Sequence, residues 1–126
     1  MDEPQRIGLT REANAYLDEM LESINTDTEG TAEKLIKFDL YRLAVAIGVK
    51  RGEKPTPLND NADSSFRTSE LDPDKALFIA VQTSNLNNYG ESIYTAVERL
   101  AEQGIRQFYA AFRANMGTLP WNQILS

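Results

Sequence analysis

The sequence predicts a mainly α fold of four to five helices with one short strand at the N-terminal end. Three observations predict it. Apolar residues recur at three and four positions through most of the chain after Thr10, the spacing of one-sided helices. Residues 37–50 are apolar on nearly every side of a helical projection, as a central helix packed from several directions would be. Only Gln5–Thr10 alternates with period two, the pattern of a half-buried strand.

Ile7 and Leu9 point one way in that strand, and Arg6, Gly8 and Thr10 the other. A lone strand leaves N–H and C=O groups without a ladder. Its expected partner is the same strand of a second chain, giving a homodimer through Gln5–Thr10; the alternative is an extended arm lying on the helices. Thr10 is a suitable N-cap for a helix from Arg11 to about Ser23, whose core face is Ala13, Tyr16, Leu17, Met20, Leu21 and Ile24. Asp18, Glu19 and Glu22 make its outer face acidic. A polar turn over residues 25–30 leads to the central helix, from about Ala32 to Lys50. Arg42 is the one charge in its middle, and Lys50, Arg51 and Gly52 form its stop signal.

Residues 51–71 read as a flexible linker, with prolines, asparagines and serines and only Leu58 and Phe66 as apolar anchors. The expected organisation is therefore a strand-helix-helix domain over 1–50, this linker, and a helical subdomain over 72–126 packed on the first. Asp72-Pro73-Asp74 predicts a helix start, with the helix running to about Thr83. Asn85, Asn87, Asn88 and Gly90 interrupt it. The stripe Ile93, Val97, Leu100, Gly104, Phe108, Phe112 then predicts either one helix over 91–115 or two that kink at Gly104. Trp121, Ile124 and Leu125 form an apolar tail expected to dock on the body.

Composition restricts function. There is no cysteine, hence no disulfide or thiolate metal site, and no histidine, hence neither the commonest general base nor the commonest metal ligand. No Ser lies in a nucleophile-elbow pattern and no Gly-rich loop has phosphate-binding form. The carboxylate pairs Asp18/Glu22 and Glu98/Glu102 read as solvated faces. A non-enzymatic protein with no cofactor and no metal is expected, with no membrane span and a cytoplasmic location. The net charge of −6 opposes a polyanionic partner. Lys50, Arg51 and Lys54, at the end of the central helix, nevertheless qualify as candidate DNA contacts. Arg99, Arg106 and Arg113, spaced by seven and so sharing a helical face, form a second basic face.

The order of Arg6-Ile7-Gly8-Leu9-Thr10, the helix from Ala13 to Leu21, and Arg42-Leu43-Ala44-Val45-Ala46-Ile47-Gly48 resembles a ribbon-helix-helix domain over about the first 50 residues. The resemblance implies an intertwined dimer whose paired strands face the DNA major groove, with Arg6, Gly8 and Thr10 outward. Gly8 offers no side chain to a base, so the dimer architecture is what the resemblance carries over. A looser likeness is to the small helical accessory proteins of DNA phosphorothioation systems. Two functions are expected in consequence: a DNA-associated accessory or regulatory protein on a ribbon-helix-helix-like dimer, or an acidic helical adaptor that binds a protein partner and no nucleic acid.

Overall fold

The computed structural model describes residues 3–27, 36–84 and 91–125. Their architecture rests on the crossing of two helices, α2 (Lys37–Lys50) and α5 (Ile93–Ala114). The crossing is close because Gly104 meets Ala44: a Cβ on Gly104 would stand 2.6 Å from Ala44 Cβ and 2.9 Å from Ala44 Cα. Gly104 is thus a contact point, not a kink, and α5 is one continuous helix. Its buried stripe is Val97, Leu100, Ala101, Gly104, Ile105, Phe108 and Phe112, which faces Tyr41, Ala44, Val45 and the rest of the core. The central helix is less uniformly enclosed than its composition suggests. Ala46 is exposed and Leu43 and Val49 are half-buried. Arg42 lies on the flank, where it donates to the carbonyls of Leu71 (2.7 Å) and Glu70 (3.3 Å).

Helix α1 (Arg11–Asp27) packs against α5 through Ala13, Leu17, Met20 and Leu21. Thr10 caps it as expected, its Oγ1 accepting from Ala13 N at 3.3 Å. The rings of Tyr16 and Tyr109 stack across the α1–α5 interface with centroids 3.9 Å apart. Helix α1 runs on to Asp27, past its expected end near Ser23, so residues 25–27 are helical and not part of a turn; the rest of the turn expected over 25–30 and the helix start near Ala32 lie outside the described residues.

The N-terminal strand is real but short, and its partner lies in the same chain. Strand β1 (Arg6–Ile7) pairs antiparallel with β2 (Phe66–Arg67), Arg6 opposite Arg67 and Ile7 opposite Phe66. A further bridge joins Thr10 to Ala62. The alternation expected over Gln5–Thr10 ends at Ile7. Gly8 and Thr10 are buried like Ile7 and Leu9, because the chain beyond β1 runs between α5 and residues 62–66 instead of along a sheet edge.

Residues 51–71 are correspondingly not a structureless stretch. They contain β2 and the single-turn helix α3 (Thr68–Leu71). Phe66 is buried, edge-on to Tyr41 at 5.0 Å and to Phe38 at 5.3 Å. Thr56 N donates to Gln103 Oε1 at 2.6 Å, and Thr68 N to Gln5 O at 2.9 Å. One apolar core takes side chains from Ile7 through Ile124.

Helix α4 (Ala76–Thr83) begins later than Asp72-Pro73-Asp74 suggests. Lys75 precedes it in the left-handed conformation, φ 60°. Asp72 still caps it from a distance: Oδ1 accepts from Leu77 N (2.9 Å) and Oδ2 from Phe78 N (3.0 Å) and from the Tyr94 hydroxyl (3.0 Å). The interruption expected at 85–90 lies outside the described residues. Helix α5 ends where Gly117 N donates to Phe112 O (2.9 Å) and Met116 N to Arg113 O (3.4 Å), a Schellman motif in which Met116, not glycine, takes the positive φ of 59° at C′. The final turn, α6 (Trp121–Ile124), docks through Leu119 and Ile124. The described helices therefore number six, the two beyond expectation being the short α3 and α6. No described helix is long and apolar enough to cross a membrane.

Candidate functional site

The most distinctive chemistry surrounds the N-terminal segment, which carboxylates hold by its backbone. Gly8 N donates to Glu98 Oε2 at 2.8 Å and Thr10 N to Glu102 Oε1 at 3.0 Å. The Thr10 hydroxyl donates to Glu102 Oε2 at 2.7 Å. The Tyr41 hydroxyl donates to Gly8 O at 3.0 Å, inside the core. The segment reciprocates at the other end of the contact: Glu3 accepts from Ile93 N (2.9 Å) and Tyr94 N (2.7 Å), so its charge lies on the first turn of α5. Glycine is needed at position 8, where a Cβ would fall 2.3 Å from Asp63 Oδ1 and 2.9 Å from Ser64 N.

Glu98 and Glu102 are therefore not a solvated face. Glu102 is buried, with 4% of its surface exposed, and Glu98 is half-buried. Burial raises the Glu98 carboxyl above its ordinary value, against the smaller lowering effects of the Gly8 N–H and Arg99. Arg106 completes the cluster. Its Nε donates to Glu102 at 2.7 Å, its Nη1 to Glu12 at 2.5 Å, and its Nη2 to Thr10 Oγ1 at 3.2 Å. The Arg106 hydrogen bond holds the Glu12 carboxyl below its usual range. Each of these acids already has donors, so the cluster grips backbone and offers no free base. Among the described residues no group of three or more carboxylates is arranged to share a metal ion.

The basic candidates are distributed in three ways. Thr10 is inward and buried, not an outward strand residue, because β1 ends before it. Lys50 and Arg51 point to the chain's other end: Lys50 Nζ donates to Leu125 O (3.4 Å), and Arg51 to Gln123 O (3.3 Å) and Ile124 O (3.0 Å). Arg99, Arg106 and Arg113 do lie along α5 at their predicted spacing, but each faces a glutamate: Arg99 pairs with Glu91, Arg106 with Glu12 and Glu102, and Arg113 with Glu19 at 3.8 Å. That row is an ion-pair seam, largely between α5 and α1. Lys50, Arg51 and Arg113 stay exposed at these contacts, and Arg6 and Lys54 are exposed with no ion pair among the described residues.

Sequence reasoning missed Arg67, which β2 sets opposite Arg6. Phe66 reads only as an apolar anchor, and a two-residue strand carries too little pattern to be read from the sequence. The burial of Glu98 and Glu102 had no local signal at all. No family model, curated protein or solved structure matches this chain.

Proposed function

We propose that this chain is a non-enzymatic, acidic helical adaptor that acts by binding a protein partner. The observation that supports this reading best is the use of its cations. Of the five DNA-contact candidates, Thr10 is buried and Lys50 and Arg51 hold the C-terminal carbonyls; on the second basic face Arg99 and Arg106 are paired with glutamates and Arg113 lies 3.8 Å from Glu19. A chain of net charge −6 whose cations are so occupied has little with which to displace counterions from a polyanion. On the exposed face of α1, Asp18 pairs with Lys37 at 3.1 Å and Glu19 with Arg113 at 3.8 Å, both open to solvent, and Glu22 is exposed; such open pairs contribute little, so a partner's basic side chains can replace them.

The test uses the full chain and a labelled DNA duplex at about 50 mM salt, where phosphate contacts are strongest. The adaptor reading expects no salt-dependent binding. It also expects a protein partner, cross-linked in nuclease-treated extract, to be lost on charge reversal at Glu19→Lys/Glu22→Lys. Tight, salt-sensitive duplex binding would overturn it.

The DNA-associated reading keeps one supporting observation, the exposure of Arg6 across from Arg67. It expects duplex affinity that falls with salt and with Arg6→Ala. A homodimer through Gln5–Thr10 is no longer required by unpaired backbone, since the Gly8 and Thr10 N–H groups are satisfied by Glu98 and Glu102. Sedimentation of the purified chain decides whether a dimer forms by another route.

A further inference from the structure

The register of the two-residue ribbon creates an unusual juxtaposition. Arg6 and Arg67 are directly opposed and both exposed. Side chains so paired stand about 4.5–5.5 Å apart at Cβ, and like charges there are destabilising. The ribbon's packing does not demand them, because the neighbouring pair, Ile7 opposite Phe66, supplies its buried side chains. Nor are they neutralised as Arg99 and Arg106 are. Among the described residues Arg6 has no ion-pair partner, and Arg67 reaches only Glu70, at 3.9 Å with both side chains about 60% exposed. So open a pair contributes little.

The two guanidiniums line an open cleft of about 480 Å³ with Gln5, Thr68 and Ser69. The Thr68 hydroxyl is spent on Gln5 O at 3.2 Å, whereas Ser69 is exposed and has no partner among the described residues. Apart from Glu70, two acids line the adjoining surface and both are committed elsewhere: the Glu3 oxygens to α5 and the Asp72 oxygens to α4 and Tyr94.

We propose that this cleft binds one phosphate-class oxyanion, either inorganic phosphate or the phosphoryl group of a small phosphomonoester, between the forks of Arg6 and Arg67, with the Ser69 hydroxyl as a further donor. Two planar guanidiniums match the geometry of a tetrahedral dianion and relieve their mutual repulsion by sharing it. A single phosphate fits better than a polyanion because the cations of α5 and of the α2 terminus are occupied. The site stands whether or not the adaptor reading does.

The experiment is isothermal titration of the full chain with inorganic phosphate and, separately, glycerol 3-phosphate, at matched ionic strength, with melting curves on the same samples. Saturable 1:1 binding and a phosphate-dependent rise in Tm are expected. Arg6→Gln or Arg67→Gln should each weaken binding by roughly tenfold or more, the weight of one charge-assisted contact, and Arg6→Lys by less. Both arginines are exposed, so the variants should keep the wild-type circular dichroism spectrum. Tighter binding of one probe identifies the source, free phosphate or phosphomonoester. The proposal is overturned if neither probe saturates, if the Arg6→Gln/Arg67→Gln double variant binds as wild type, or if only a DNA duplex binds, with a steep salt dependence through these arginines.

Discussion

The contact between Gly104 and Ala44 makes a sharp prediction, because the same substitution at a second glycine of the same crossing should have the opposite sign. In Gly104→Ala the new methyl would lie 2.6 Å from Ala44 Cβ, 2.9 Å from Ala44 Cα and 3.0 Å from Ala44 O. Two of these are backbone atoms, so no rotamer change relieves the overlap. Helices α2 and α5 must separate, loosening Leu100, Ile105 and Phe108, which are buried along the same stripe. Overpacking of this kind costs about 1–3 kcal/mol, and contact with backbone favours the upper end. Alanine returns about 1 kcal/mol of helix propensity. The expected net loss is about 2 kcal/mol. At Gly48 the nearest atom to a new Cβ is Leu100 Cδ2 at 3.3 Å, the movable end of a side chain, and the next lies at 3.7 Å. There the propensity gain should prevail, leaving Gly48→Ala neutral or up to about 1 kcal/mol more stable. Urea unfolding followed by circular dichroism, with the m-value checked for constancy, measures both. The account of the helix crossing fails if Gly104→Ala is as stable as wild type, or if the two variants lose equally.

Other expectations follow from the same structure. Glu98 is raised in the folded state by burial, so the native chain binds that proton more tightly than the unfolded one. Its contribution to stability is present at low pH and is lost as pH rises through the raised value. Glu98→Gln, whose amide oxygen can still accept from Gly8 N, should therefore gain on wild type as pH rises from about 4, the ordinary carboxyl value, through the raised one, in parallel melts; a gap that narrows with rising pH would refute this. Ile7, 1% exposed, should cost about 2–5 kcal/mol when cut to alanine, and a deletion of residues 1–10 that melts like wild type would contradict the described role of the segment. Asp72→Ala strands two amide N–H groups and the Tyr94 hydroxyl, with an expected loss of about 1–3 kcal/mol read by denaturation. Met116, 96% exposed with φ 59°, holds a position glycine suits better, so Met116→Gly should raise stability by about 0.5–1 kcal/mol; a lower Tm would show that its side chain has a role the structure does not reveal.

The local periodicities were sufficient for the class and the long helices. Tyr16, Leu17, Met20 and Leu21 already mark the inner face of α1, and Val97, Leu100, Phe108 and Phe112 that of α5, since a helix declares its buried side within its own 3.6-residue repeat. Thr10 as a cap and the docking of the C-terminal tail were legible for the same local reason. What opposes each face is a non-local matter. Nothing near Arg6 and Ile7 announces a partner some sixty residues on, and two-residue strands carry too little pattern to announce themselves. Without that pairing the strand needs a second chain, or must lie as an arm on the helices. Glu98 and Glu102 have the i,i+4 spacing of a solvated face, and they become a buried clamp only because Gly8 and Thr10 bring backbone donors to them. Arg99, Arg106 and Arg113 share a face as their spacing requires, yet the glutamates that neutralise two of them, Glu12 and Glu19, come from another helix. The stripe across Gly104 fits one helix or two that kink there, and the close approach of Ala44 gives the glycine its place in a continuous α5. Local repeats are enough for the class, the long helices and their inner faces. Tertiary structure alone decided which charges remain at the surface, because burial and pairing depend on segments that the chain brings together from far apart.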